Sequence, residues 1–385
     1  MSEPSTKRPA ADGQAYDVVT LVDELLARAV EADASDIHFE PTAKEMLIRY
    51  RLDGVLDTVE RIPAALAENI VSRLKVLAGL LTYRNDIPQE GRLELPAGKV
   101  SDTRLAVFPT IRGQRAVVRL FYDDASLADL DRLGFTPEVA AALNDLCQAN
   151  QGVLLLTGPS GSGKSTTLAA MLRRIAQRQE GKSVVTLEDP VERRIDGVTQ
   201  IEITPHGTMT HPTALRSLLR QDPQVLMIGE IRDAATARIV IDAGLTGHLL
   251  MSTLHSGTPA GAILRLLEMG IEPYQITSSI SAVVNQRLVR RLCENCKTAA
   301  AGPRRAVGCP QCLGTGYRGR VLLAELVRIE GPLRTAILQR ADLQHIQQLL
   351  AGLGHQALAD HGRQLVEQGV TGEQELQRAI GSEPL

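Results

Sequence analysis

The 385-residue chain carries 42 basic and 45 acidic residues, for a net charge of −3, so it has no global basic field for holding a nucleic-acid backbone. Apolar residues make up 44% but aromatics only 3%, with no Trp; a sizeable core is available, and stacking on bases is excluded as a main activity. No apolar run approaches the ~18 residues of a membrane span, and residues 1–14 lack the apolar centre of a secretory signal, so a cytoplasmic protein linked to any membrane only through partners is expected.

Residues 1–14, rich in small polar residues, Lys and Pro, read as a disordered tail. Val18, Leu21, Val22, Leu25, Leu26 and Ala29 then recur at helical spacing. Asp36–Glu40 and Lys44–Arg51 predict a strand pair around Pro41, with a turn at Asp53-Gly54. A helix is expected over Ala64–Ala78, and strands at Arg104–Phe108 and Arg115–Phe121. Together these make a small α+β unit over residues 15–123, followed by a linker at 124–135. From 136 to 385 helices alternate with short apolar strands at Gly152–Thr157, Ser183–Leu187, Val225–Ile228 and Leu249–Ser252. That alternation predicts an α/β domain around a mostly parallel sheet, with ligand-binding loops at the carboxyl ends of its strands. Residues 322–385 read as a C-terminal helical region, largely helical from Pro332 to Ile380.

Between the strand ending at Thr157 and a helix lies Gly158-Pro159-Ser160-Gly161-Ser162-Gly163-Lys164-Ser165-Thr166. It fits the phosphate-binding loop G-x-x-x-x-G-K-[ST] in its strand–loop–helix setting. The glycines let the backbone turn tightly and aim N–H groups at phosphates, and the helix N-terminus adds its positive end. Lys164 suits the β/γ-phosphates and Ser165 a Mg²⁺ ion. After the next strand come Glu188, Asp189 and Glu192. Three carboxylates so close can hold Mg²⁺ through water and orient an attacking water; a capped, solvated turn is the plainer alternative. The run Val225–Ile228 ends at Gly229-Glu230, which places a carboxylate at the tip of a strand expected beside the phosphate loop. Thr253 and His255 end another apolar strand, a position suited to sensing a γ-phosphate, although a lone strand-end His is more often an ordinary surface residue.

Cys293-x₂-Cys296-x₁₂-Cys309-x₂-Cys312 supplies four thiolates for a tetrahedral Zn²⁺ within residues 288–321. With no ligand position left open, the metal would be structural; four unmetallated thiols are the alternative. Cys147 reads as a small apolar packing residue. Arg287, Arg290 and Arg291 form a basic cluster, read as a solvated face or a subunit interface rather than a nucleic-acid site.

These motifs, in this order, resemble the secretion ATPase family that drives type II secretion and type IV pilus assembly. The likeness extends through Leu215-Arg-Ser-Leu-Leu-Arg-Gln-Asp-Pro223, Gly229-Glu-Ile-Arg-Asp233, Gly247-His-Leu-Leu-Met-Ser-Thr-Leu-His255 and Arg265-Leu-Leu-Glu-Met-Gly270. In the first unit it is carried by Ala34-Ser-Asp-Ile-His-Phe-Glu-Pro41, Arg49-Tyr-Arg-Leu-Asp-Gly54, Pro88-Gln-Glu-Gly-Arg92 and Phe108-Pro-Thr110. The resemblance implies a RecA-like ATPase domain with a four-cysteine zinc-binding insertion, preceded by a PAS-like domain, in a homo-hexameric ring that hydrolyses ATP with Mg²⁺. It implies Arg104 and Arg119 as phosphate-contacting arginines, Glu192 as the water-activating carboxylate and Glu230 as the magnesium-side acid, with Glu188 and Asp189 adjacent candidates. It also implies an inner-membrane platform protein as partner and pilin or pseudopilin assembly as output, since retraction motors usually lack the cysteine module. Larger members carry an extra N-terminal domain that docks on the platform, whereas this chain starts almost directly at the second domain, which leaves the docking route open. After His255 the family commonly continues Thr-Asn-Asp-Ala, whereas this chain reads Ser256-Gly-Thr-Pro-Ala260. The rival readings are a related ring ATPase serving DNA uptake or translocation and a nucleotide-gated scaffold without turnover.

Overall fold

The computed structural model describes residues 17–95, 98–122, 125–178, 181–203, 209–297 and 304–381; the tail read at 1–14 lies outside them. The chain divides into two compact units, Met1–Asp123 and Asp124–Leu385.

In the first unit Asp17 caps helix α1 (Val18–Glu31) by accepting from the Val19 N–H, and Val22, Leu25, Leu26 and Ala29 form its buried face. Strands β1 (Asp36–Pro41), β2 (Glu45–Leu52) and β3 (Val55–Pro63) follow, then helix α2 (Ala67–Leu77) and strands β4 (Gln89–Gly91), β5 (Val100–Thr110) and β6 (Gly113–Tyr122). They form one antiparallel sheet in the order β3-β2-β1-β6-β5-β4. Asp53 and Gly54 both take positive φ (49° and 87°), the requirement of a tight two-residue hairpin turn. Ile37, Phe39, Ile48, Tyr50, Leu105, Val107 and Val118 pack with the buried residues of α1 and α2 into one core. β3 was not expected from the sequence. It is an edge strand in which only Ile62 is buried, so it carries little alternation to read.

The second unit runs α3 (Pro137–Gln148), β7 (Gly152–Thr157), α4 (Lys164–Arg178), β8 (Val184–Glu188), β9 (Thr199–Glu202), α5 (His211–Leu218), β10 (Val225–Ile228), α6 (Ala234–Leu245), β11 (Leu249–Leu254), α7 (Pro259–Glu268) and α8 (Pro273–Ser279). It continues with β12 (Ile280–Leu292), β13 (Tyr317–Arg328), α9 (Gly331–Leu338), α10 (Leu343–Gly352), α11 (Leu358–Glu367) and α12 (Glu373–Ile380). The sheet order is β13-β12-β7-β11-β10-β8-β9, parallel except for the β12–β13 hairpin. Every residue of β7, β8, β10 and β11 is buried, as expected of parallel strands covered on both faces. Among the described residues no helix is long and apolar enough to cross a membrane.

The structure corrects three expectations here. Residues 125–132, read as linker, form two 3₁₀ turns; Leu130 lies in the second core, and Arg174 binds Asp129 and Asp131 at 2.7 Å each. Residues 322–328, read as part of a helical region, complete strand β13. The strand leading to Glu230, β10, is separated from β7 by β11, so it does not lie beside the phosphate-loop strand. The chain order of apolar runs does not reveal which of them the sheet interleaves.

Candidate nucleotide site and metal centre

The loop between β7 and α4 turns on Gly158, Gly161 and Gly163, with φ of 138°, 75° and 92°. Gly158 is the most constrained of the three, because a Cβ there would stand 2.4 Å from the Gln286 carbonyl oxygen. We therefore expect Gly158→Ala to lower unfolding stability by at least about 1–3 kcal/mol through strain and collision together. Gly161→Ala, with nothing within 4 Å, should cost only the φ penalty of about 1 kcal/mol. Urea melts of the two variants check this difference. Lys164 is buried, and its Nζ donates to the Gly158 and Pro159 carbonyls at 2.9 Å each. Burial pulls its pKa down, Glu230 opposes that pull, Arg287 adds to it, and Glu192 opposes it more weakly. Ser160, Gly161 and Ser165 are open to solvent, whereas the Ser162 hydroxyl oxygen is buried without a hydrogen-bond partner.

The acidic residues separate by environment. Glu188 ends β8 buried, its Oε1 accepting from Thr186 Oγ1 at 2.6 Å and Gln200 Nε2 at 3.1 Å. Glu230 pairs through Oε1 with His255 Nε2 at 3.1 Å and through Oε2 with Arg232 Nε at 3.0 Å. Arg232 also holds Asp189 Oδ2 at 3.2 Å. The ends of β8, β10 and β11 thus bring Asp189, Glu230, Arg232 and His255 into one cluster. Glu192 is exposed, with its charge acting on Lys164. Arg232 had no role in the sequence reading, because nothing in an Ile-Arg-Asp triplet says that the side chain bridges two strand ends.

β12 contributes further residues around the phosphate loop. Gln286, fully buried, accepts from Thr167 Oγ1 at 3.2 Å and donates Nε2 to the Ser162 carbonyl at 2.9 Å, so it braces the phosphate loop from the neighbouring strand. Arg287, read as part of a solvated or interface cluster, donates to the Asn285 side chain and to the Gln286 and Gly257 carbonyls. Burial lowers its pKa, with Glu325 opposing. Arg290 pairs with fully buried Glu375 at 2.8 Å and stacks on Tyr317. The legible signal was the polar triplet Asn285-Gln286-Arg287 between the apolar Ala282–Val284 and Leu288.

In the first unit Arg104 and Arg119 are direct partners across β5 and β6 and are both exposed. With Arg92 they line an open cavity of about 620 Å³. Arg119 Nε donates to the buried Asp36 carboxylate at 2.9 Å, and the Arg104 guanidinium lies 5.3 Å from the Phe121 ring centre.

The four cysteines join the end of β12 to the start of β13. Their sulfurs all lie within 4.8 Å of one another, with Cys293–Cys309, Cys296–Cys312 and Cys309–Cys312 at 3.9, 3.8 and 3.7 Å. A tetrahedron of ~2.3 Å Zn–S bonds has edges of about 3.8 Å, whereas a disulfide would bring two sulfurs to about 2.05 Å. The donor set therefore fits the metal. Burial pushes the Cys312 thiol up, but the Cys309 and Gly316 N–H groups donated to its sulfur at 3.1 and 3.2 Å outweigh it and hold its pKa at about 7. Cys147 is buried apart from them, its pKa pushed up to about 12 by that burial.

A family profile described as "Type II/IV secretion system protein" matches residues 11–378. Type II secretion system protein HxcR of Pseudomonas aeruginosa is 41% identical over 94% of this chain and 77% of the relative. Type II secretion system ATPase E of Vibrio cholerae is 40% identical over 94% and 75%. Type IV pilus assembly ATPase PilB of Thermus thermophilus is 37% identical over 91% of this chain but 41% of its own length. In fold, the chain is similar to the Legionella pneumophila ATPase DotB, with a TM-score of 0.69 at 21% identity, 96% of this chain and 97% of that one covered. With a profile spanning nearly its whole length and close relatives across most of it, the chain belongs to the type II/IV secretion system protein family.

Proposed function

We propose that the protein is an ATPase motor that hydrolyses Mg-ATP as a homo-hexameric ring and delivers the work to pilin or pseudopilin assembly. The observation that carries this reading is the phosphate loop with a buried Lys164 in the same sheet as the Glu230–His255–Arg232 cluster. Lys164 exchanges two backbone carbonyls for the β/γ-phosphate oxygens, and the loop N–H groups hold the remaining charge. Ser165 and Glu230 make an all-oxygen set suited to Mg²⁺, with Glu188 or Asp189 acting through water. That ion, when bound, supplies charge neutralisation on the phosphates. Glu192, exposed and electrostatically tied to Lys164, orients the attacking water, while His255 reports the γ-phosphate to Glu230. Arg104 and Arg119 present planar guanidinium forks to phosphate oxygens. Zn²⁺ in the cysteine module is structural. The protein works at the cytoplasmic side of an inner membrane, docked on a platform protein.

Glu230→Gln keeps the shape of the side chain and removes its charge. Turnover is expected to fall about 100-fold or more while nucleotide binding persists. Retained turnover in the assembled protein, measured by phosphate release, would remove Glu230 from the mechanism.

A further inference from the structure

We propose that Arg287 and Asn285 are positioning residues that hold the His255 loop, anchored in turn by Glu325. This inference rests on the reading that His255 and Glu230 serve hydrolysis. The Gly257 carbonyl, two residues beyond His255, accepts from Asn285 Nδ2 and from Arg287 Nη2, at 2.9 Å each. Arg287 Nη1 returns to Asn285 Oδ1 at 2.8 Å and to the Gln286 carbonyl at 3.0 Å. Both donors come from β12, not from the loop's own strand. Asn285 is fully buried and pairs across the sheet with Thr157, the last residue before the phosphate loop. One rigid side-chain pair therefore ties the loop after β11 to the strand position beside the phosphate loop.

The anchor lies on β13. Glu325 is the register partner of Asn285 and accepts from its Nδ2 at 2.7 Å. Its other oxygen meets His355 Nε2 at 3.2 Å and the Leu358 N–H, in the first turn of α11, at 3.3 Å. A buried amide and a buried carboxylate facing each other across β12 and β13 are costly unless every bond is made, and an aliphatic pair would fill the same strand positions without that requirement. Here the bonds lead from the Asn285–Glu325 pair to Gly257 on one side and to His355 and the Leu358 N–H on the other. The far side of the loop is fixed separately, where Thr258 Oγ1 accepts the Gly261 N–H and caps α7. Held at both points, the loop presents His255 to Glu230 at 3.1 Å.

The test is a double-mutant cycle in the full-length assembled protein. Arg287→Ala is expected to lower kcat about tenfold, a loss of the size produced by misplacing a catalytic group, with KM for Mg-ATP and binding of a fluorescent ATP analogue little changed. In a His255→Ala background the same substitution should cost less than about twofold, since coupled residues are non-additive. An equal loss in both backgrounds, or a loss carried by nucleotide affinity, overturns the proposal. Should Arg287→Ala not fold, Arg287→Lys keeps the charge but not the fork; it should lose kcat by a smaller factor that again vanishes with His255→Ala, and wild-type kcat would overturn the idea. Amide exchange at Thr258 and Gly261, whose N–H groups donate to Ser256 Oγ at 3.4 Å and Thr258 Oγ1 at 3.0 Å, gives a readout independent of turnover: faster exchange in Arg287→Ala supports the restraint, and unchanged exchange overturns it. If Glu230→Gln and His255→Ala themselves leave turnover intact, it is the hydrolysis reading that fails, and the exchange result still decides whether the loop is held.

Discussion

Replacing Lys164 with Ala is expected to lower ATP turnover by about 10²–10³-fold or more, the cost of removing one preorganised donor from a developing charge. The geometry makes the loss specific. Lys164 is buried, and its ammonium is satisfied by two carbonyls of its own loop. Those carbonyls neutralise nothing, so the charge remains available to phosphate oxygens that arrive with full negative charge. The side chain is therefore stored at its point of use, and little reorganisation is needed when nucleotide binds. Because the backbone N–H groups and the glycine turns stay in place, Lys164→Ala should still fold. Its melting temperature should stay near that of the parent, while the nucleotide-dependent rise in melting temperature shrinks. Phosphate release and thermal melts with and without Mg-ATP measure both effects. Wild-type turnover in Lys164→Ala would show that the loop is not the hydrolytic site.

Removing the metal from the cysteine module is expected to have the largest effect on stability. The purified protein should contain one zinc per chain by elemental analysis, and Cys293→Ser or Cys309→Ser should abolish it. A ligand held at 1,000 times its dissociation constant contributes about 4 kcal/mol to the folded state. Each kcal/mol moves the midpoint of a domain this size by about 2–4 °C, so a strong chelator should lower melting by about 8–16 °C. The effect should reach beyond the module, because Cys293 directly follows β12 and the Cys293 N–H bonds the Gly316 carbonyl beside β13. The same hairpin carries Gln286 against the phosphate loop and Asn285 against the His255 loop. With Mg²⁺ kept in excess over a zinc-selective chelator, chelation should therefore also reduce turnover, and in the Cys→Ser variants the chelator should add nothing. A protein free of metal, with melting unchanged by chelator, would leave the four thiols as mere packing.

Much of this site was legible in the sequence because its chemistry is written in contiguous residues. A phosphate loop is a local backbone structure, so Gly158–Ser165 reads directly as glycine turns and a helix start. The two Cys-x₂-Cys pairs are similarly short-range, and their spacing specifies a four-sulfur cage before any fold is known. Apolar runs such as Gly152–Thr157 and Leu249–Leu254 are buried throughout, and continuous burial leaves a continuous apolar signature. β3 and β12 escaped for the opposite reason: one is a solvated edge, and the other carries buried polar residues.

What the sequence determined by itself was therefore the set of local devices: the phosphate loop, the acidic strand ends, the four-sulfur cage and the family to which the motifs point. Tertiary structure alone decided which distant residues those devices meet. It interleaved β11 between β7 and β10, set Arg232 between Asp189 and Glu230, and brought Asn285, Gln286 and Arg287 to the phosphate and His255 loops. The physical reason is that strand order and register are chosen by burial of whole sheet faces. A side chain's partners across the sheet depend on that collective choice and leave no mark in its own neighbourhood of the chain.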